Sequence, residues 1–205
     1  MRVHIVFAHP SAASFTRSVL NSFTLGLAAA GHTFTVSDLY AMGFSPVLTQ
    51  AEYQRESTHE VASPVPADVA AEQAKLNAAD AWVFIYPVWW TDCPAILKGW
   101  FDRVWTVGYA HHSSAMPQAE HALVLCTAGH AAEYLRGMGF WPAMETVMLG
   151  DRIANRAKTR QFVVFDGSEA VDAETWKTRK AEHLAMAMQL GLDLGLSRPT
   201  ISRPW

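Results

Sequence analysis

The chain has 205 residues, half of them apolar, and a formal net charge of −3 at pH 7. A chain of this size buries enough apolar surface to fold without disulfides or a structural metal, and its weak acidity offers no electrostatic attraction to nucleic acid or an anionic membrane. Two cysteines, Cys93 and Cys126, no signal-peptide pattern and no apolar run near the roughly 20 residues of a membrane helix predict a cytoplasmic protein with reduced thiols.

Apolar runs of strand length alternate along the chain with segments of helical apolar spacing. The predicted strands are Val3–Ala8, His32–Leu39, Ala81–Tyr86, Ala122–Thr127 and Gln161–Phe165. The predicted helices are Ser14–Ala30, Asp68–Ala79, Pro94–Val107 and Ala173–Leu194, with a broken helical region at 131–158 and an irregular connection at 40–66. Short strands separated by helices imply right-handed crossovers. We therefore predict one α/β domain over residues 1–205, with a five-stranded parallel, doubly wound sheet flanked by helices.

The turn after the first strand has the features of an anion site. Ser14 is placed to cap the following helix, whose first backbone N–H groups and dipole favour negative charge, and Thr16 adds a hydroxyl donor. Neither the Gly-x-Gly-x-x-Gly nor the Gly-x-x-x-x-Gly-Lys-Ser/Thr signature is present. The turn therefore predicts phosphate binding, while an ordinary helix cap remains the simpler reading of Ser14.

Two further turns follow the third and fourth predicted strands. Pro87-Val88-Trp89-Trp90 places two adjacent tryptophans at the end of a buried strand, and Thr127-Ala128-Gly129 offers small residues with free backbone N–H groups. Because carboxyl ends of parallel strands meet at one edge, the three turns predict a site for a planar, phosphate-bearing ligand. The competing interpretation of the tryptophans is packing against the sheet edge.

Several segments resemble the NAD(P)H:quinone oxidoreductases of the flavodoxin-like fold. The resemblance covers residues 2–130 and is carried by His9, Ser14-Phe15, Ser37–Pro46, Ala71–Gln73 and above all Pro94–Val104. It implies a flavoenzyme that takes hydride from NAD(P)H onto flavin N5 and then passes two electrons to a quinone in a ping-pong cycle. FAD is favoured because Ser37–Pro46 follows the FAD-binding branch, but the connection before Ala67 is short and leaves FMN open.

The resemblance also implies roles for individual residues. The implied flavin-binding residues are His9, Ser14, Phe15, Thr16, Pro87, Val88, Trp89, Trp90, Thr127, Ala128 and Gly129. The implied substrate-binding residues are Trp90, Tyr109 and His111. Tyr134 is nearly in register with a family tyrosine implicated in hydride transfer and is the candidate catalytic residue, although no histidine follows it at the family's spacing.

Partners and alternatives complete the interpretation. A homodimer is expected, in which the loop carrying Tyr109 and His111 reaches the partner's site and an aromatic surface of Trp100, Phe101 and Trp105 is buried. The adjacent His111 and His112 lack a third ligand, so no metal is predicted. A regulatory flavoprotein acting on a potassium-efflux system is one alternative. A flavin-free α/β domain such as a hydrolase is another, although no Gly-x-Ser-x-Gly motif supports it.

Overall fold

All five strands of the computed structural model lie in one parallel sheet of order β2-β1-β3-β4-β5. The structure describes residues 1–112 and 115–196. The strands are β1 (Arg2–Phe7), β2 (Thr33–Asp38), β3 (Ala81–Pro87), β4 (Ala119–Thr127) and β5 (Ala157–Phe165). The helices are α1 (Phe15–Ala29), α2 (Gln50–Ser57), α3 (Ala67–Ala78), α4 (Ala95–Val104), α5 (Ala132–Gly137), α6 (Phe140–Glu145) and α7 (Ala173–Leu192). A π-helix (Thr146–Ile153) and a 3₁₀ turn (Ala154–Arg156) join α6 to β5. The predicted sheet is confirmed.

The central strand β3 is buried along its whole length, as its continuous apolar sequence predicts for a strand covered on both faces. Successive side chains point to opposite faces. Trp82, Phe84 and Tyr86 enter a cluster with residues of α3, α4 and the π-helix. Val83 and Ile85 enter a second cluster with residues of α1 and α7. The fold is therefore three layers thick at β3.

The connection predicted to be irregular contains the helix α2, so that prediction is wrong. Thr49 caps this helix by accepting a hydrogen bond from Glu52 N–H at 3.2 Å, and the Glu52 carboxylate accepts one from Thr49 N–H at 2.8 Å. This reciprocal capping box is a recognisable Thr-x-x-Glu pattern. The helix escaped detection because it carries few apolar residues and buries Glu52 and Arg55 instead.

The expected aromatic surface on α4 is also absent. Trp100 is fully buried, Phe101 is 4% exposed, and both pack on Phe84 of β3. Trp105 is half-buried, and its indole Nε1–H donates to the Arg152 carbonyl at 2.6 Å. These rings fill the volume between α4 and the sheet, so they give no support to a dimer interface.

Trp100 is anchored by a buried carboxylate. Its indole N–H donates to Glu72 Oε2 at 2.9 Å, and Ser37 and Lys75 donate to Glu72 Oε1. Burial by itself would raise the pKa of Glu72, but the hydrogen bonds from His4, Lys75, Trp100 and Ser37 outweigh it and lower that pKa to about 2. Glu72 therefore stays ionised and links α3, α4 and β2.

Cys93 and Cys126 are both buried free thiols. Burial raises the pKa of Cys93 to about 12 and also raises that of Cys126, so both are protonated at neutral pH. In the two described ranges, no helix is long and apolar enough to cross a membrane.

Candidate ligand-binding site at the carboxyl edge of the sheet

The turns after β1, β3 and β4 meet at the carboxyl edge and are joined by hydrogen bonds. Val88 N–H donates to the Thr127 carbonyl at 2.8 Å. The buried hydroxyls of Thr16 and Thr127 lie 2.8 Å apart, which ties the start of α1 to the end of β4. The ring centroids of His9 and Trp89 are 6.4 Å apart. The structure thus brings together residues of all three predicted turns.

The start of α1 leaves backbone donors free. Ser14 Oγ accepts a hydrogen bond from Arg17 N–H at 3.1 Å, so Ser14 does act as an ordinary cap. The N–H groups of Phe15 and Thr16 come too early in the helix for intrahelical partners, and no acceptor for them lies within the described residues. Two donors at the positive end of a helix therefore remain available to an anion.

The side chains around this turn divide into donors and packing groups. Burial lowers the pKa of His9, and its Nδ1 lies 2.9 Å from Ser11 N–H, which assigns the proton of the neutral ring to Nε2. Arg17 pairs with Asp38 and lies over the Phe7 ring, while its buried Nε has no partner among the described atoms. Phe15 packs edge-on against Trp176 of α7 at 4.9 Å, which is a structural contact.

The second turn exposes its aromatic tip. Pro87 is buried and Val88 is half-buried. Trp89 is 42% exposed and Trp90 is 100% exposed. Trp90 therefore does not pack against the sheet edge, and an indole held completely in solvent at the end of a central strand is available to a planar ligand.

The third turn is covered from outside by the loop that follows β5. Ala128 N–H donates to Phe165 O at 3.0 Å, so the prediction of a free N–H group is wrong for this residue. Glu169 N–H donates to Gly129 O at 3.0 Å. A Cβ at position 129 would lie 2.8 Å from the Glu169 carboxyl carbon. Glu169, a residue that no sequence pattern singled out, thus lies against Gly129 through the end of its flexible side chain.

Apart from Trp90, the three residues that the resemblance assigns to substrate binding or catalysis lie in different places. Tyr134 is 46% exposed, and its ring centroid is 4.6 Å from that of the exposed His130 beside the third turn. Tyr109 is 8% exposed, and its hydroxyl lies 2.8 Å from Asn77 Oδ1 at the end of α3. His111 lies 3.5 Å from Glu56 of α2.

The position of Tyr109 follows from the path of α3. This helix runs from the carboxyl edge back to the amino edge of the sheet, so Asn77 marks the edge opposite the site. Within one chain, Tyr109 therefore does not join Trp90, and its substrate-binding role stays a prediction. Among the residues with described positions, no group of three or more His, Cys, Asp or Glu side chains is arranged to hold a metal ion.

The residues at this edge fit a flavin on two observations. The free N–H groups of Phe15 and Thr16 suit a phosphate, and the solvent-exposed indole of Trp90 suits a planar ring system. A parallel sheet of order 2-1-3-4-5 with such an edge defines the flavodoxin-like class of α/β proteins.

Comparison with known families agrees with this class. Residues 1–184 match a family model described as having a flavodoxin-like fold, and the chain belongs to this family.

Solved and curated relatives refine the comparison. The chain is 46% identical to an NAD(P)H:quinone oxidoreductase from Methanothermobacter marburgensis, with a TM-score of 0.91, covering 97% of this chain and 98% of the other. It is 36% identical over 150 residues to a human ribosyldihydronicotinamide dehydrogenase (quinone), covering 64% of this chain and 65% of the relative. It is 35% identical over 128 residues to NAD(P)H dehydrogenase (quinone) 1 of Rattus norvegicus, covering 56% of this chain and 47% of the relative.

The predicted family resemblance is confirmed by these relatives, which are named as quinone-dependent oxidoreductases. The chain spans less than two thirds of the curated relatives' own length, whereas it matches the Methanothermobacter protein almost end to end.

Proposed function

We propose that the chain is a flavin-dependent NAD(P)H:quinone oxidoreductase with a single domain, residues 1–205. The observation that carries this proposal is the full exposure of Trp90 at the carboxyl edge, where α1 also has two unpartnered N–H groups. The 46% identical quinone oxidoreductase supports the same activity. The names of the relatives do not favour the regulatory alternative.

The residues of the chain have distinct tasks in this proposal. The N–H groups of Phe15 and Thr16, with His9 Nε2–H, bind the phosphate, and Trp89 and Trp90 orient the ring system together with the backbone of the third turn. When bound, a flavin supplies the hydride-accepting and electron-donating chemistry that protein side chains lack. Holding the hydride donor and then the quinone against one face of the flavin ring system reduces the entropic cost of each transfer step.

Tyr134 is proposed to act on the substrate side, in partnership with His130. Their rings are 4.6 Å apart with an interplanar angle of 41°, and both are exposed beside the third turn. A phenol and an imidazole placed together can donate to a developing negative charge and exchange a proton with solvent. The family histidine that is absent after Tyr134 is thereby replaced, in this proposal, by one that precedes it.

FAD is proposed as the cofactor, with FMN as the alternative and either NADH or NADPH as donor. The Ser37–Pro46 segment that favoured FAD also packs on α4: Arg103 Nη1 donates to Ser45 O at 2.8 Å, and a Cβ at Gly99 would lie 2.1 Å from Pro46 O. Because the segment also has these packing contacts, its sequence does not decide between FAD and FMN. The flavin that the purified protein retains tests the choice.

The remaining proposals concern partners and setting. The acceptor is proposed to be a quinone or a similar planar molecule, because an open aromatic site selects by shape more than by polar groups. A homodimer, a cytoplasmic location and the part of Tyr109 and His111 in a partner's site stay predictions.

Absorbance spectroscopy tests the function directly. The purified protein is incubated with FAD or FMN, desalted, and mixed with NADPH or NADH without oxygen. Retained flavin absorbance that bleaches with a nicotinamide and returns with a naphthoquinone is expected. Absence of retained flavin would refute the proposal and favour the flavin-free α/β domain. Flavin that does not bleach would favour the regulatory alternative.

A further inference from the structure

The turn that presents Trp90 has a backbone conformation that its residues disfavour. Trp89 N–H donates to Asp92 O at 2.9 Å and Asp92 N–H donates to Trp89 O at 3.1 Å, which closes a four-residue turn. The two central residues, Trp90 and Thr91, have φ angles of 51° and 61°. Left-handed φ at both central positions is the type I′ pattern, which favours Asn-Gly, and a β-branched threonine there is a genuine outlier.

Burial at the tip of the turn does not compensate for this strain. The Trp90 side chain is 100% exposed, so its indole gains no packing within the chain. The left-handed backbone therefore has to be held by contacts at the base of the turn. Strained residues that persist in this way concentrate at functional sites.

The base of the turn is held by an ion pair with a distant residue. Arg152 Nη1 donates to Asp92 Oδ1 at 2.8 Å and Arg152 Nη2 to Asp92 Oδ2 at 2.9 Å, while Cys93 N–H donates to Oδ1 at 2.7 Å. A two-pronged guanidinium–carboxylate contact sets orientation as well as distance. Burial would raise the pKa of Asp92, but the bonds from Arg152 and Cys93 outweigh it and lower that pKa, so the pair is charged at neutral pH.

Arg152 is a rigid attachment point. Its side chain is 7% exposed, its guanidinium lies 5.3 Å above the Phe101 ring, and its carbonyl accepts the Trp105 indole N–H. Nη1 also lies 3.2 Å from Met148 Sδ, one turn earlier on the same π-helix. π-Helical segments are rare and occur often at functional sites. The position of the Arg152 guanidinium relative to the sheet is thus fixed by α4 and the π-helix together.

We propose that the Asp92–Arg152 pair holds the turn 89–92 in its left-handed form and thereby keeps the Trp90 indole presented at the ligand-facing edge. Arg152 is a positioning residue, since it acts through Asp92. This inference rests on the proposed function for the identity of the ligand that meets the indole. The dependence of the turn on the ion pair does not rest on the proposed function.

Hydrogen exchange of the turn tests the inference without any cofactor. The amides of Trp89 and Asp92 are bonded across the turn, so Arg152→Met and the milder Asp92→Asn are each expected to accelerate their exchange on the order of tenfold. The matched control is Arg103→Met, which breaks another buried ion pair, with Glu52 and Asp68, away from the turn. It is expected to leave exchange of these two amides unchanged.

Rescue distinguishes positioning from a general packing defect. Glycine is favoured at the second central position of this turn, so Thr91→Gly added to Arg152→Met is expected to restore slow exchange. In the flavin-loaded protein, Arg152→Met is expected to raise the KM for 2-methyl-1,4-naphthoquinone about tenfold with little change in kcat, and Thr91→Gly is expected to reverse that rise.

Three results would overturn the inference: unchanged exchange in both Asp92→Asn and Arg152→Met, no rescue by Thr91→Gly, or equal acceleration in the Arg103→Met control. If Arg152→Met does not fold, Asp92→Asn and its combination with Thr91→Gly decide the matter. If the wild-type protein retains no flavin, the proposed function fails, while the exchange measurements still decide whether the ion pair holds the turn.

Discussion

At the scale of single residues, exposure separates the tryptophan proposed to bind a ligand from the tryptophans that fill the core. Trp90 is fully exposed, whereas Trp82 and Trp100 are fully buried. The sequence alone did not make this distinction, because it predicted an exposed aromatic surface at Trp100 as well as a ligand-facing indole at Trp90. The free energy of burial stabilises the fold at Trp82 and Trp100, and it contributes nothing at Trp90. We propose that a role in ligand binding accounts for the exposed tryptophan at position 90.

Trp90→Ala is therefore expected to weaken ligand binding without weakening the fold. Its free energy of unfolding should change by less than about 0.5 kcal/mol, as for exposed substitutions generally. Loss of an aromatic contact worth about 1 kcal/mol should raise the flavin Kd or the quinone KM roughly five- to tenfold. Urea unfolding and flavin titration measure the two effects, with Trp90→Phe as the conservative control. Wild-type values of both Kd and KM in Trp90→Ala would contradict the role.

Tyr134→Phe tests the proposed partnership with His130. Because the ring is retained and half exposed, stability and flavin affinity should not change. The rate of flavin reduction by NAD(P)H should fall by at least about tenfold if the phenol stabilises charge during transfer. Stopped-flow absorbance measures this rate. Tyr53→Phe is the matched control, since Tyr53 is an exposed tyrosine of α2, and an equal effect of the two substitutions would argue against the role.

At the scale of elements, the most specific sequence motif proves to be structural. In Pro94–Val104, Leu97, Gly99, Trp100, Phe101 and Arg103 are all buried. Arg103 donates to Glu52 and Asp68, and Gly99 allows α4 to touch Pro46. The motif therefore identifies the family by how α4 packs on the sheet. The residues that we propose to bind the ligand lie in the turn just before it.

The contact between α1 and α7 depends on two glycines. A Cβ at Gly191 would lie 2.3 Å from the Phe23 carbonyl, and one at Gly26 would lie 2.0 Å from the Met188 carbonyl. Gly191→Ala is therefore expected to destabilise the fold by about 2 kcal/mol, because the helix backbones must separate. Thermal unfolding measures the loss. Gly137→Ala, at a site with open space, is the control and should be neutral or slightly stabilising; a similar loss there would contradict the explanation.

At the scale of the whole molecule, Glu72 makes stability depend on pH. The pKa of Glu72 is lowered in the folded state from 4.5 to about 2. The contribution of Glu72 to the free energy of unfolding is therefore present above pH 4.5 and is lost as the pH falls toward 2. Between about pH 6 and about pH 3, protonation linkage at this group should remove ~2 kcal/mol of unfolding free energy.

The comparison of wild type with Glu72→Gln isolates this contribution. The variant should be less stable than wild type at about pH 6, because Lys75 and Trp100 lose a charged partner. The difference between the two proteins should shrink by ~2 kcal/mol at about pH 3. Urea unfolding at both pH values provides the measurement. A difference that does not depend on pH would show that Glu72 is not the titrating group.

Local patterns predicted the strands better than the connections. β1 and β3 were located within one or two residues, because strands covered on both faces carry continuous apolar runs. β5 begins at Ala157 rather than Gln161, since this edge strand has exposed polar residues in its first half. The helix α2 was missed for a similar reason, because its capping box is clear but its apolar spacing is weak.

The amino-acid sequence alone determined the alternation of strands and helices, the three turns at the carboxyl edge and the family. Each depends on residues close together in the chain, such as Ser14 with α1 or Trp89-Trp90 with β3. Only the tertiary structure decided that Trp100 is buried on Glu72, that His130 faces Tyr134 at 4.6 Å, and that Arg152 holds Asp92 from 60 residues away. Contacts of this kind arise from the packing of whole elements, whose relative positions no local periodicity encodes.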